Sequence, residues 1–269
     1  MTHPLRFGVV APLLTDVPTW RDQVKRLADQ GFSTLLMPDV PHWQPAPAPV
    51  LATAAALTTM RVGSWVHAAP LRPAWSTAWE AHSLSVLTED RFELGIGTGR
   101  PGIDDELRAL GMPGVSPADR LTRVRETVAA LRDLDGADRH TPVVMAVRGP
   151  KARALALEVA DTVTIAATTL DTRDTISSLA RELGAARDVE LALHVPVVGD
   201  TVAPFMASAR ETDPAALRAA DSLAVLPDDP AAATEEVLRR REEIGYTYFV
   251  VGSGAADTLA PVVARLAGL

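Results

Sequence analysis

Short runs in which bulky apolar residues alternate with small or polar ones recur along the chain, and between them apolar residues return every three or four positions. The clearest alternation is Arg91-Phe-Glu-Leu-Gly-Ile-Gly-Thr-Gly99. Phe92, Leu94 and Ile96 at period two predict a buried strand, ended by the small residues Gly97, Thr98 and Gly99. Runs at 5–11, 32–37, 61–66, 142–147, 161–166, 189–197 and 246–251 predict seven more strands. Helical spacing predicts a helix carrying Trp20, Val24, Leu27 and Ala28 and stopped by Gly31, since glycine readily takes the left-handed conformation that ends helices. Further helices are predicted at 50–57, from Pro73 through Val86, and at 120–134, 151–160, 171–183, 231–244 and 257–266. In the helix after Pro73, Trp75, Trp79, His82 and Val86 share one face, and His82 is expected in the core. Three stretches read as loops: the proline-rich 40–49, the Gly- and Pro-containing 100–117, and 199–229 with one short helix at 214–220.

Eight strand–helix units with no linker or break in composition imply a parallel sheet. Eight fit a closed (β/α)8 barrel, a TIM barrel, spanning 1–269 as a single domain; a doubly wound open sheet is the alternative. Apolar residues make up 47% of the 269 positions, enough for a sizeable core. A net charge of −8 without a long basic run argues against a nucleic-acid partner. The absence of cysteine excludes disulfides and thiol catalysis. The N-terminus has neither a basic nor an apolar leader segment, and no apolar run reaches the roughly 20 residues of a membrane span. A soluble cytoplasmic protein is expected.

In a barrel of this kind, ligands sit where strands end at their carboxyl side. Asp39, His42 and Trp43 follow the second strand there, His67 follows the third, and Arg100 follows Gly97-Thr98-Gly99. His42 offers acid–base or hydrogen-bonding chemistry, with Asp39 beside it, although a histidine packed in a rigid loop reads equally well. Gly149-Pro150-Lys151 opens a helix, so free N–H groups, the helix dipole and a lysine could receive one phosphate; ordinary capping is the alternative. Arg148 and Arg153 could assist there. Gly97-Thr-Gly-Arg-Pro-Gly102 matches G-x-G-x-x-G in letters only, because Pro101 interrupts it and no helix starts at once. His194 reads as core, and Asp104-Asp105-Glu106 as a solvated loop face. No residue cluster has metal-ligand spacing, and no Gly-x-Ser-x-Gly elbow is present.

The segment Arg91-Phe-x-Leu-Gly-Ile-Gly-Thr-Gly99 resembles the fourth-strand signature of luciferase-like monooxygenases. The likeness extends through Met37-Pro-Asp39…His42, Glu80-Ala-His-Ser-Leu-Ser-Val-Leu87, Arg120…Arg132, Gly149-Pro-Lys…Asp161 and Asp229-Pro-Ala…Val251, in the family's order. It implies a (β/α)8 barrel using coenzyme F420 for hydride transfer, or reduced flavin mononucleotide (FMN) with oxygen. Asp39-x-x-His42-Trp43-x-Pro45 is similar to the F420-dependent branch. The resemblance implies His42 and Asp39 as catalytic residues, and Trp43, His67 and Arg100 near the substrate. It implies a bulge at Trp65–Val66 behind the coenzyme ring, often with a non-proline cis peptide. Gly97, Thr98 and Gly99 would let the coenzyme approach the backbone, and Gly149, Pro150 and Lys151 would hold its phosphate. A small organic substrate, a homodimer and a flavin or F420 reductase partner also follow. The sequence departs from the pattern at Thr88-Glu-Asp-Arg91, at Arg100 where an acid is usual, and at Trp65, which is bulky enough to fill part of the pocket. A barrel that has lost its coenzyme, and a hydrolase or lyase, are the readings from other classes.

Overall fold

The computed structural model describes residues 3–167, 171–204 and 212–269. Its strands are β1 (Arg6–Val10), β2 (Thr34–Met37), β3 (Arg61–Ser64), β4 (His67–Ala68), β5 (Phe92–Gly97), β6 (Val143–Val147), β7 (Thr162–Ile165), β8 (Glu190–Val195), the short β9 (Val197–Val198), β10 (Thr201–Val202) and β11 (Val225–Leu226), and β12 (Tyr246–Gly252). The helices are α1 (Val17–Asp29), α2 (Pro47–Leu57), α3 (Ala74–Leu87), α4 (Ile103–Ala109), α5 (Pro117–Asp135), α6 (Pro150–Val159), α7 (Arg173–Ala186), α8 (Pro214–Ala219), α9 (Pro230–Ile244) and α10 (Ala256–Leu266). Parallel pairing runs β3-β2-β1-β12-β8-β7-β6-β5-β4, and β3 also pairs with β5. That last pairing closes the sheet into the eight-stranded barrel, with β3 and β4 together forming one staved position.

Alternation along each strand sorts the core into two shells. Phe92, Leu94 and Ile96 of β5 belong to the large apolar cluster that includes Leu51 of α2, Ala78 of α3 and Val128 of α5. The neighbouring Glu93, Gly95 and Gly97 belong to the opposite face, toward the lumen. A smaller cluster of Val10, Leu36, Ala192, Tyr248 and Val250 fills the lumen, with Trp65 packed against it. At the base, Arg6 binds Glu190 with two guanidinium nitrogens at 2.7 and 2.6 Å and Glu93 at 3.0 Å. Its guanidinium lies 3.4 Å from the centre of the Tyr248 ring, and the Tyr248 hydroxyl donates to Glu93 at 2.8 Å. Burial pushes the Tyr248 phenol well above its ordinary value, and the neighbouring Glu93 carboxylate pushes it further the same way.

The predicted strands all form, and the differences lie between them. Helix α2 starts inside the proline-rich loop, because Pro47 and Pro49 occupy its first turn, where a missing N–H costs nothing. The 100–117 stretch contains α4, entered through Gly102 at φ 83. Asp104, Asp105 and Glu106 form its first turn, where carboxylates complement the helix dipole. Helix α5 begins at Pro117 behind the Ser116 cap, earlier than the apolar spacing shows. The region 199–229 carries β10, α8 and β11; residues 205–211 of it lie outside the described residues.

Helix α3 reverses the expected face. Trp75 and Trp79 stack with ring centres 6.4 Å apart and are 63% and 62% exposed. The buried face is made of Thr77, Ala78, Ala81, Leu84 and Ser85. His82 is half-buried at the edge and meets Asp135 of α5 at 2.8 Å. Arg91 fastens the end of α2: it donates to the carbonyls of Ala55, Thr58 and Met60 at 2.9–3.0 Å, which have no partner within a helix end.

Candidate active site at the barrel mouth

The β3–β4 position contains one more residue than its neighbour. Val62 pairs with Phe92 and His67 with Ile96, so five steps on one strand oppose four on β5. The surplus is absorbed at Trp65–Val66, which is joined by a cis peptide bond, as the resemblance implies. Ser64 replaces the interrupted ladder: its hydroxyl donates to the Gly95 carbonyl at 2.8 Å and accepts from the Gly95 N–H at 3.0 Å. A Cβ on Gly95 would stand 1.9 Å from the Ser64 carbonyl oxygen. The side chain of Val66 closes over β5, and a Cβ on Gly97 would lie 3.2 Å from it.

Trp65 therefore turns into the mouth. Its indole meets Tyr248 and His194 edge-on, each with ring centres 6.1 Å apart, and it remains half-buried. It fills the axis above Tyr248 and leaves part of its surface open at the top. His194 of β8 points into the lumen beside it. Burial lowers this imidazole to about pKa 4, so it is neutral at physiological pH.

Asp39 follows β2 but is sealed behind the mouth, 3% exposed. Arg72 binds it through two nitrogens at 2.6 and 2.8 Å, and the Ala68 N–H of β4 donates to it at 3.2 Å. The His67 ring nitrogen lies 3.3 Å from it, and the other ring nitrogen 3.5 Å from Glu80 of α3. Burial alone would raise the Asp39 carboxyl; His67 and Arg72 overcome that and hold it well below the usual carboxylate range. Its Oδ2 takes the Ala68 N–H and one Arg72 nitrogen, and its Oδ1 takes the other Arg72 nitrogen. The structure places Asp39, expected as a catalytic residue, in a clamp that fixes β4 just beyond the bulge. His67, also buried, stands against the same clamp. Arg72 and Glu80 complete it and were not singled out in the sequence; nothing in their spacing points to Asp39.

The other expected residues divide. His42 is exposed in a turn with φ 67, a conformation a non-glycine residue seldom adopts. Trp43 is half-buried beside it. Arg100 donates to the Asp39 carbonyl at 3.1 Å and pairs with Glu106, bridging the β2 and β5 loops across α4. Gly99, at φ 100, seats Ile103 of α4 against its backbone, and Thr98 is half-buried. Gly95, Gly97 and Gly99 thus lie against the chain's own Ser64, Val66 and Ile103.

At the far rim, Gly149 precedes α6 with no side-chain cap, and a Cβ there would meet nothing within 4 Å. Pro150 supplies no N–H, and the first intrahelical bond is donated by Arg153, so the N–H groups of Lys151 and Ala152 face out unused by the helix. Arg148 is held by Asp171 at 2.7 and 3.1 Å, and Arg153 donates to the Arg148 carbonyl. Lys151 is exposed and has no ion pair among the described residues.

A family model described as luciferase-like monooxygenase matches residues 6–248. No curated protein matches the sequence. Among solved structures, the coenzyme F420 dependent tetrahydromethanopterin reductase from Methanopyrus kandleri superposes with a TM-score of 0.74 at 15% identity, over 98% of this chain and 100% of that one. An F420-dependent secondary alcohol dehydrogenase in complex with an F420-acetone adduct gives 0.71 at 18%, over 98% and 99%. The oxygenating constituent of 3,6-diketocamphane monooxygenase from Pseudomonas putida, in complex with FMN, gives 0.70 at 13%, over 98% of both chains. At these identities the likeness establishes the barrel.

Proposed function

The chain belongs to the luciferase-like monooxygenase family, and on that premise we propose that it is an F420-dependent oxidoreductase acting on a small organic substrate. The observation that carries the reading is the uncapped start of α6 on the carboxyl rim of the barrel. Two unused N–H groups, the positive end of the helix and an unpaired Lys151 there fit one coenzyme phosphate. The coenzyme would supply hydride transfer when bound.

The rest falls to the chain's own residues. Val66 and the open face of Trp65 would give the ring an apolar floor. The Asp39 clamp keeps that floor in register with β5. His42 and Trp43 stand on the exposed side of the mouth, His42 able to donate or accept a hydrogen bond near the ring. His194, neutral, adds a polar edge without a charge. We extend the reading to a homodimer, checked by sedimentation of the purified chain, and to a cytoplasmic location, checked by fractionation of cells that make it.

The experiment is a titration of the folded protein with F420 and, separately, with FMN, following quenching of coenzyme fluorescence. Saturable F420 binding is expected. Lys151→Ala should weaken it about tenfold, equivalent to about 1.4 kcal/mol, with thermal stability unchanged because the side chain is solvated. His42→Asn, which tolerates the left-handed backbone, should lower turnover without altering this affinity. Saturable FMN binding with none to F420 would make the chain a flavin monooxygenase fed by a reductase. Trp65 in the lumen favours a second reading, a barrel without redox activity, and failure of both coenzymes to bind a folded sample would support it over the first.

A further inference from the structure

A second concavity lies outside the barrel, between the 3₁₀ turn that follows β4 (Ala69–Leu71), the α4–α5 connection and the side of α5. Its volume is about 230 Å³. Pro73, Met112, Pro113 and Val115 give it apolar walls, and Arg72 and Arg123 bring two guanidinium groups to its lining. The two cations differ. Arg72 is neutralised by Asp39, as described above. Arg123 is half-buried, donates one bond at 3.1 Å to the Pro70 carbonyl, and has no carboxylate partner among the described residues. A half-buried guanidinium compensated only by a carbonyl dipole leaves one net positive charge beside an apolar hollow.

We propose that this hollow binds a small apolar monocarboxylate. The charge selects a monoanion, and a planar carboxylate matches the guanidinium fork in a way a spherical anion does not. The walls select a hydrocarbon body. The volume falls below the roughly 300–1,000 Å³ of pockets that take drug-sized ligands, which limits that body to a single ring or a short chain. The site is independent of the redox reading, because its unpaired cation, Arg123, and its apolar walls take no part in the barrel mouth. It adjoins that mouth through Arg72 alone, whose other side holds Asp39.

The test uses the full chain and sodium benzoate as probe, with benzamide as the neutral isostere. Calorimetric titration should show saturable benzoate binding at one site, and benzamide at least tenfold weaker. Saturating benzoate should raise the unfolding midpoint of the wild-type chain, since a ligand bound only to the folded state stabilises it. Arg123→Gln should weaken benzoate at least tenfold, and Arg123→Lys, which keeps the charge and loses the fork, should fall between. Should the Gln variant fail to fold, the Lys variant and the benzamide comparison carry the test. Equal affinity for benzoate and benzamide, or benzoate affinity unchanged in either Arg123 variant, would overturn the proposal.

Discussion

Gly95→Ala is expected to cost at least about 3 kcal/mol of stability, more than ordinary overpacking of a core, because the new methyl meets backbone rather than a side chain that can turn away. The obstacle is the Ser64 carbonyl, 1.9 Å from where the Cβ would stand. Relief requires β3 and β5 to separate at the point where the barrel closes, and with them the two hydrogen bonds of the Ser64 hydroxyl. The same substitution at Gly149 meets nothing within 4 Å, and its φ of −72 suits any residue. Gly149→Ala should therefore stay within about 0.5 kcal/mol of wild type. Chemical denaturation of the pair makes the comparison. A cost below about 1 kcal/mol at Gly95 would mean that the bulge is not held as tightly as described.

Asp39→Asn is the second large effect, at about 3–5 kcal/mol, because it leaves the Arg72 cation without its countercharge at a buried site. Its pH dependence has a definite sign. The carboxyl is lowered in the folded chain, so its contribution is complete above the unfolded carboxylate value, about 3.9, and is lost as pH falls below that toward the folded value. The gap between wild type and Asp39→Asn should be constant near neutrality and narrow in acid below about pH 4. Urea midpoints measured across that range decide it. A gap that stays the same down to pH 3 would show that the clamp is not ionic.

Much of the architecture was legible because apolar runs of strand length recur eight times, and in β5 the large apolar residues face outward, to the helices, with small or polar ones inward. Phe92-Glu-Leu-Gly-Ile-Gly97 carries both halves of that pattern. Helix α3 was misread for the opposite reason. Its contact face is small, and the close approach that Ala78, Ala81 and Ser85 permit is invisible to a reading that looks for bulk, which here lies outside in Trp75 and Trp79. Short helix α4 was missed because Pro101 and Gly102 mark a turn whether or not a helix follows. At the site, Gly149-Pro150-Lys151 stands where strand–turn–helix spacing puts it. Asp39 was visible, but its task was not, since Arg72 reaches it from a 3₁₀ turn 33 positions later. The glycines of β5 announce a close approach without saying by what; at Gly95 the register at Trp65–Val66 brings in the chain itself.

The ion cluster across the base bears on traffic. With Arg6, Glu93, Glu190 and Tyr248 bonded across the bottom and Leu36, Ala192 and Val250 stacked above them, the cylinder is a cup rather than a pipe. On the proposed reading, whatever entered at the rim would have to leave by the same doorway, so product would have to clear before the next molecule is admitted.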